Sequence, residues 1–221
     1  MPMTNESEMR QEICRVARSL FERGYVHATA GNISVRLTDG FLITPSDACL
    51  GFLDSHDLAK VGPGGQQLSG ARASKTLLLH RSIYDADPDA ACIIHTHSTH
   101  LVALTLSGVW SRDDILPPIT PYFVMKVGHV PLIDYRRPGD PETATLVTQA
   151  IQRMRAQKTP IRAVMLDRLG PNVWHQSLAA AMAVLEELEE TARLWLACTP
   201  RPEPLSEVQI DELRRHFGAS W

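Results

Sequence analysis

Ala91-Cys92-Ile93-Ile94-His95-Thr96-His97-Ser98-Thr99-His100 is the stretch from which the chain is best read. A short apolar run ending in His-x-His predicts a strand, and period-two alternation turns His95 and His97 to one face with Thr96 on the other. Two neutral imidazoles on one face can grip a borderline divalent cation, but a catalytic site needs a third protein ligand and an open position. The same spacing also suits two ordinary histidines at a sheet edge.

Working outward, residues 8–24 read as an amphipathic helix with Ile13, Val16, Ala17, Leu20 and Phe21 at helical spacing. Ala28-Thr29-Ala30-Gly31-Asn32 is a small-residue turn, and Ile33–Leu37 and Phe41–Thr44 are strands joined through Asp39-Gly40, read as the hairpin turn. The Gly-rich segment 61–65 predicts a second hairpin. A helix is expected from Lys75 to Tyr84, capped by Ser74, and others over Thr99–Leu106, 142–157 and Ser177–Ala197. Further strands are expected around Val130–Ile133 and over 162–167, the latter interrupted at Leu169-Gly170-Pro171-Asn172. Residues 200–204 form a Pro-rich linker to a short helix that starts at Ser206, with Gln209 completing a capping box. This divides the chain into a domain over 1–199 and an appendage over 200–221.

At 221 residues with 44% hydrophobic and 21% charged side chains, the composition is that of one globular domain with a sizeable core. A net charge of -3 without basic runs argues against nucleic-acid and polybasic membrane partners. The polar amino terminus lacks the order of a secretory signal, and Cys14, Cys49, Cys92 and Cys198 form no Cys-x-x-Cys pair, so a reducing cytoplasm is expected. Each cysteine is expected to be a buried small hydrophobe, and the acidic cluster Glu186, Glu187, Glu189 and Glu190 a solvated or subunit-facing surface.

Anion binding is the second theme. The turn at 28–32 leaves amides approachable, Thr44 and Ser46 offer hydroxyls, and Ser74-Lys75 stands at a predicted helix start, where a cation is disfavoured unless an anion compensates it. Turns and caps use the same residues for structural reasons. His80 reads as a hydrogen-bonded core residue, His100 and His129 as conceivable third ligands, and His27 and His175 as solvated. Tyr122 is a candidate proton donor if its loop closes over the site.

The run Thr29-Ala30-Gly31-Asn32-Ile33-Ser34-Val35-Arg36, Ile43-Thr44-Pro45-Ser46, Ser74-Lys75 before the helix ending at Tyr84, Pro88-Asp89 and Ile94-His95-Thr96-His97 together resemble the class II aldolase/adducin family. Pro117–Tyr122, Val127-Gly128, Tyr135 with Arg137–Asp140, and Leu185–Ala192 are similar to its 3-oxo-tetronate 4-phosphate decarboxylase branch. The resemblance implies a three-layer α/β/α domain around a largely antiparallel sheet. It further implies a homotetramer with sites at subunit interfaces, and a divalent metal, commonly zinc, that stabilises an enediolate of a phosphorylated sugar acid or keto sugar. Asn32, Thr44, Ser46, Ser74 and Lys75 are implied to hold the anionic substrate, and His95 and His97 the metal.

Two positions depart from the family pattern. The glutamate expected four residues before His80 is Thr76, and the third metal-binding histidine is Leu169. Neither replaces the lost chemistry; Asp167 is the nearest carboxylate that could be recruited. The reading adopted is a metal-dependent lyase that decarboxylates a 3-oxo-tetronate 4-phosphate-type acid. The alternatives are a catalytically disabled member that binds a sugar phosphate or protein partner, and a sugar-phosphate aldolase or epimerase.

Overall fold

The computed structural model describes residues 6–221. Residues 1–5, where the expected domain starts, lie outside the described residues. Eight strands make one sheet: β1 (Asn32–Leu37), β2 (Gly40–Ile43), β3 (Ala59–Val61), β4 (Gln67–Ser69), β5 (Cys92–His95), β6 (Leu132–Ile133), β7 (Ala163–Leu166) and β8 (Gly170–His175). Their spatial order is β4-β3-β2-β1-β5-β8-β7-β6, antiparallel throughout except for the β6/β7 pair.

Strand alternation sorts the side chains into two cores. Ile33, Val35, Cys92, Ile94 and Val173 face one side, covered by α1 (Glu6–Glu22), α3 (Thr99–Ser107) and α5 (Leu178–Ala197). Ile93, Val164, Leu166 and Trp174 face the other, under α2 (Leu77–Ala86) and α4 (Pro141–Ala156). The result is the three-layer α/β/α arrangement expected. The last helix, α6 (Glu207–Phe217), starts with the expected Ser206/Gln209 capping box. It anchors through Ile210, while Trp221 stacks on His129 at 4.4 Å and lies tilted against Phe123 at 5.5 Å. Among the described residues no helix is long and apolar enough to cross a membrane.

Several local expectations need correction. The first hairpin turns at Thr38-Asp39, with Gly40 (φ +145) already the first residue of β2 and paired with Leu37. Helix α2 begins at Leu77 rather than Lys75, and its N-cap residue is Thr76, not Ser74. Lys75 therefore lies ahead of the helix, and the dipole argument for an anion there loses its premise. Leu169-Gly170-Pro171-Asn172 does not break the sheet, because Gly170 opens β8. Pro171 is tolerated as the second residue of that strand, just beyond the last β5 pair, His95 with Asn172. Glu189 is turned inward, accepting from the backbone N–H groups of His100 and Leu101. Glu187 is half-buried and accepts from the hydroxyls of Thr120 and Thr191. Cys92 is buried as expected, but Cys198 is exposed.

Gly170 sits at φ +137, and a Cβ there would run into the carbonyl oxygen of Thr96 and crowd the His97 backbone. That close approach holds β8 against the chain as it leaves β5. Gly170→Ala is expected to destabilise the fold by about 2–4 kcal/mol, measured by urea unfolding, since both the dihedral and the space are refused.

Candidate functional site

A cavity of about 240 Å³ opens at the ends of β1, β5 and β8 on the α2/α4 face. Its polar floor follows from register. Asn32 pairs with His95, and His95 with Asn172, so three polar side chains from three adjacent strands stand in one row on one face. The next row on that face, Ser34, Ile93 and Trp174, runs under α2 and α4.

His95 is almost fully buried, and its Nδ1–H donates to the carbonyl of Pro171 at 2.9 Å. This fixes the tautomer and leaves the Nε2 lone pair facing the cavity. Burial, then the neighbouring His97, pushes the His95 pKa down to about 4, so the ring is neutral at physiological pH. His97 lies just past the strand end, also lines the cavity, and has its pKa lowered by burial and by His27. The His95 and His97 rings are 5.1 Å apart, close to the ~5 Å expected for two imidazoles on one tetrahedral ion.

Behind this floor, Ser34 Oγ contacts both Tyr84 Oη (2.8 Å) and His80 Nδ1 (2.7 Å). With Tyr84 donating to Ser34 and Ser34 to His80 Nδ1, both hydroxyl hydrogens are used; the reverse order would strand the tyrosine hydroxyl hydrogen. His80 is therefore the Nε2–H tautomer. Burial, then His95, brings its pKa down to about 3. Its Nε2 has no partner. The expectation of a hydrogen-bonded core histidine holds for Nδ1.

The anion-binding candidates divide. Asn32, Ser46, Ser74 and Lys75 all line the cavity. Gly31 (φ +84) lets this turn pack against the end of β5, since a Cβ would come within 2.7 Å of Val26 Cγ1 and 2.9 Å of the His95 carbonyl oxygen. Lys75 is exposed and lies 3.7 Å from Asp47, a loose pairing that leaves its ammonium available. Thr44 is a correction: it is fully buried away from the cavity, and its Oγ1 accepts from the Ile33 N–H at 3.1 Å, holding β1 to the chain after β2.

The two candidate third histidines fail on location. His100 is bound to Glu189, while His129 pairs with Asp114 and stacks on Trp221; neither lines the cavity. Tyr122 is 61% exposed and also lies outside the cavity lining. His27 is exposed as expected, but its ring lies 6.2 Å from that of His97. Thr76 and Leu169 both line the cavity, the threonine hydroxyl engaged with Ser74 Oγ at 3.0 Å. Asp167 lines it too, yet among the described residues no group of three or more His, Cys, Asp or Glu side chains can hold a metal ion. Reading the sequence missed Asn172, which is 1% exposed, lines the cavity, and has neither amide atom hydrogen-bonded.

Two imidazoles on one wall, that of His95 fixed by the Pro171 carbonyl, thus suit a divalent ion. A third is not supplied by the residue types that usually serve.

Comparison with known proteins bears on this geometry. The family model for the Class II Aldolase and Adducin N-terminal domain matches residues 11–196. A 3-oxo-tetronate 4-phosphate decarboxylase of Cupriavidus necator is 54% identical over 225 residues, covering 99% of this chain and all of that protein. Its namesake in Escherichia coli K12 is 40% identical over 211 residues, 95% of this chain and 96% of that one. Among solved structures, YgbL of Escherichia coli matches with a TM-score of 0.84 at 39% identity over 95% of this chain and 99% of that one. An L-fuculose 1-phosphate aldolase shares the fold, with a TM-score of 0.81 at 24% identity over 98% of each chain.

Proposed function

Because the chain belongs to the class II aldolase and adducin family, we propose that it is a carbon–carbon lyase that removes the carboxyl group of a phosphorylated four-carbon 3-oxo acid as carbon dioxide. The observation that carries this reading is one cavity joining His95 and His97 to an anion-holding rim of Asn32, Ser46, Ser74 and Lys75. A substrate with a phosphate at one end and a β-keto acid at the other needs both.

His95 and His97 would hold a divalent ion, zinc being the first candidate; when bound, it supplies positive charge against the oxyanion that develops at C3. The chain's own part is positional. Lys75 and the Ser74 hydroxyl hold the phosphate; Ser46, whose hydroxyl donates to the Ala73 carbonyl at 3.1 Å, shapes the rim beside them. Asn32 Oδ1, buried and unpartnered, accepts from a substrate hydroxyl. As the C1–C2 bond breaks, its electron pair moves toward the C3 carbonyl, and a proton must then be returned to C2.

Thr76 favours decarboxylation over the sibling reactions. Retro-aldol cleavage needs a base to take a hydroxyl proton, and epimerisation through an enediolate needs one to take a proton from carbon. Loss of carbon dioxide needs no base, because the carboxylate's own bond supplies the electrons. A threonine at the expected glutamate position is thus a smaller handicap here.

The family likeness also suggests a homotetramer with shared sites. Tyr122, exposed and outside its own chain's cavity, is then free to serve a neighbouring subunit's site as proton donor.

Thr76 and Leu169 support a second reading, a member that binds its ligand without turning it over. Protein purified without chelator should be assayed for bound metal and for carbon dioxide release from 3-oxo-tetronate 4-phosphate, beside the double variant Thr76→Glu with Leu169→His. Wild-type release dependent on a divalent ion is the expected result. Release confined to the double variant would overturn it in favour of the binding reading.

A further inference from the structure

The Pro171-Asn172 dipeptide acts on His95 from two sides. The Pro171 carbonyl fixes the ring through Nδ1, and the Asn172 amide stands beside the ring as its partner in register. Asn172 occupies a strand position followed by Val173 and Trp174, and its cross-strand neighbour in β7 is Val164, all fully buried and apolar. An amide at 1% exposure in such company, with Oδ1 and Nδ2 both unpartnered, is disfavoured whichever way the group is turned. Natural chains retain such groups where a ligand uses them.

We infer that Asn172 is this chain's third protein donor to the ion, its Oδ1 joining His95 and His97 in a mixed nitrogen and oxygen set. This inference rests on the reading of His95 and His97 as ion-binding residues. It also accounts for the other half of the amide, since Nδ2 is then left to donate to an oxygen of the bound substrate. An amide oxygen is a harder and weaker donor than the imidazole expected at Leu169. The chemistry therefore shifts the site toward hard cations of the manganese type, with the remaining positions open to water and substrate.

The test uses the full-length chain stripped with chelator and titrated with Mn2+ alone, binding being read by electron paramagnetic resonance and calorimetry. Wild type is expected to bind one ion per chain. Asn172→Leu should weaken binding at least about 10-fold, and Asn172→Asp, which keeps an oxygen in place, should restore it. Ion-free thermal unfolding of Asn172→Leu at or above the wild-type midpoint establishes that the variant is folded. Wild-type affinity in Asn172→Leu overturns the inference; with carbon dioxide release intact in both proteins, it leaves the lyase reading standing. Absence of both ion binding and release in wild type overturns the two together.

Discussion

His95→Ala is expected to abolish carbon dioxide release, with kcat/KM falling by about 10^3-fold or more while the chain stays folded. The ring is the centre of the polar row, with Asn32 on one flank and Asn172 on the other. Its Nε2 is the lone pair most firmly aimed at the cavity, because Pro171 holds Nδ1. On the lyase reading proposed above, removing it takes away an ion ligand and the fixed reference against which substrate is positioned, so the loss should fall on kcat and on ion affinity together. Alanine leaves a gap beside polar residues rather than an apolar void, and water can enter it, which limits the structural penalty. His129→Ala is the matched control. That ring is also a histidine near a strand, but it is committed to Asp114 and Trp221, away from the cavity. Steady-state assays should leave His129→Ala within a few-fold of wild type. Equal losses in the two variants would remove His95 from the reaction, since a general structural effect would then explain both.

What the sequence made legible follows the strength of local signals. The alternation in β1 and the Ser206 capping box each combine a period or a spacing with a physical requirement, and the fold meets both; the His-x-His run is a strand only as far as His95, with His97 just beyond its end. The beginning of β8 was missed because Gly-Pro-Asn is turn chemistry. Only the tertiary pairing of Asn172 with His95 and of Pro171 with Met165 reveals that the segment is a strand, with Gly170 needed to pass Thr96. Asn172 disappeared from view with it, since a polar residue in a turn calls for no explanation whereas one in a buried strand does. Its signal was available in hindsight as a polar residue ahead of Val173-Trp174, one strand away from the histidine pair.

Thr44 went the other way. A hydroxyl in an Ile-Thr-Pro-Ser run reads as a ligand contact, but it spends its lone pair on the Ile33 amide. Hydroxyls serve backbone and ligand equally well, and sequence does not distinguish the two uses. Glu189 shows the same ambiguity for charge, because one member of a solvated-looking run caps α3 from α5.

His80 sets a strong acid limit on the ion-free fold. Its pKa of about 3 in the folded chain lies below the ~6.5 of an unfolded histidine, mainly because burial disfavours the imidazolium. Above pH 6.5 neither state binds the proton and stability is flat with respect to this group. Between pH 6.5 and about 3 the unfolded state binds the proton and the folded state does not, so stability falls with acid by about 1.4 kcal/mol per pH unit.

The glutamine variant isolates this contribution. His80→Gln removes the titration and most of the Ser34 contact, so at pH 8 it should be less stable than wild type by about 1 kcal/mol. As pH falls, wild type loses stability faster by one proton's slope, so the two curves should cross near pH 6 and wild type should be the less stable protein at pH 5. Contributions from His95, lowered in the same direction, are present in both proteins and largely cancel in the difference. Urea unfolding at pH 8, 6.5 and 5 on chelator-treated protein measures the crossing. Parallel curves across that range would mean that His80 is not held neutral by its surroundings, and the Tyr84-Ser34-His80 proton arrangement would fall with it.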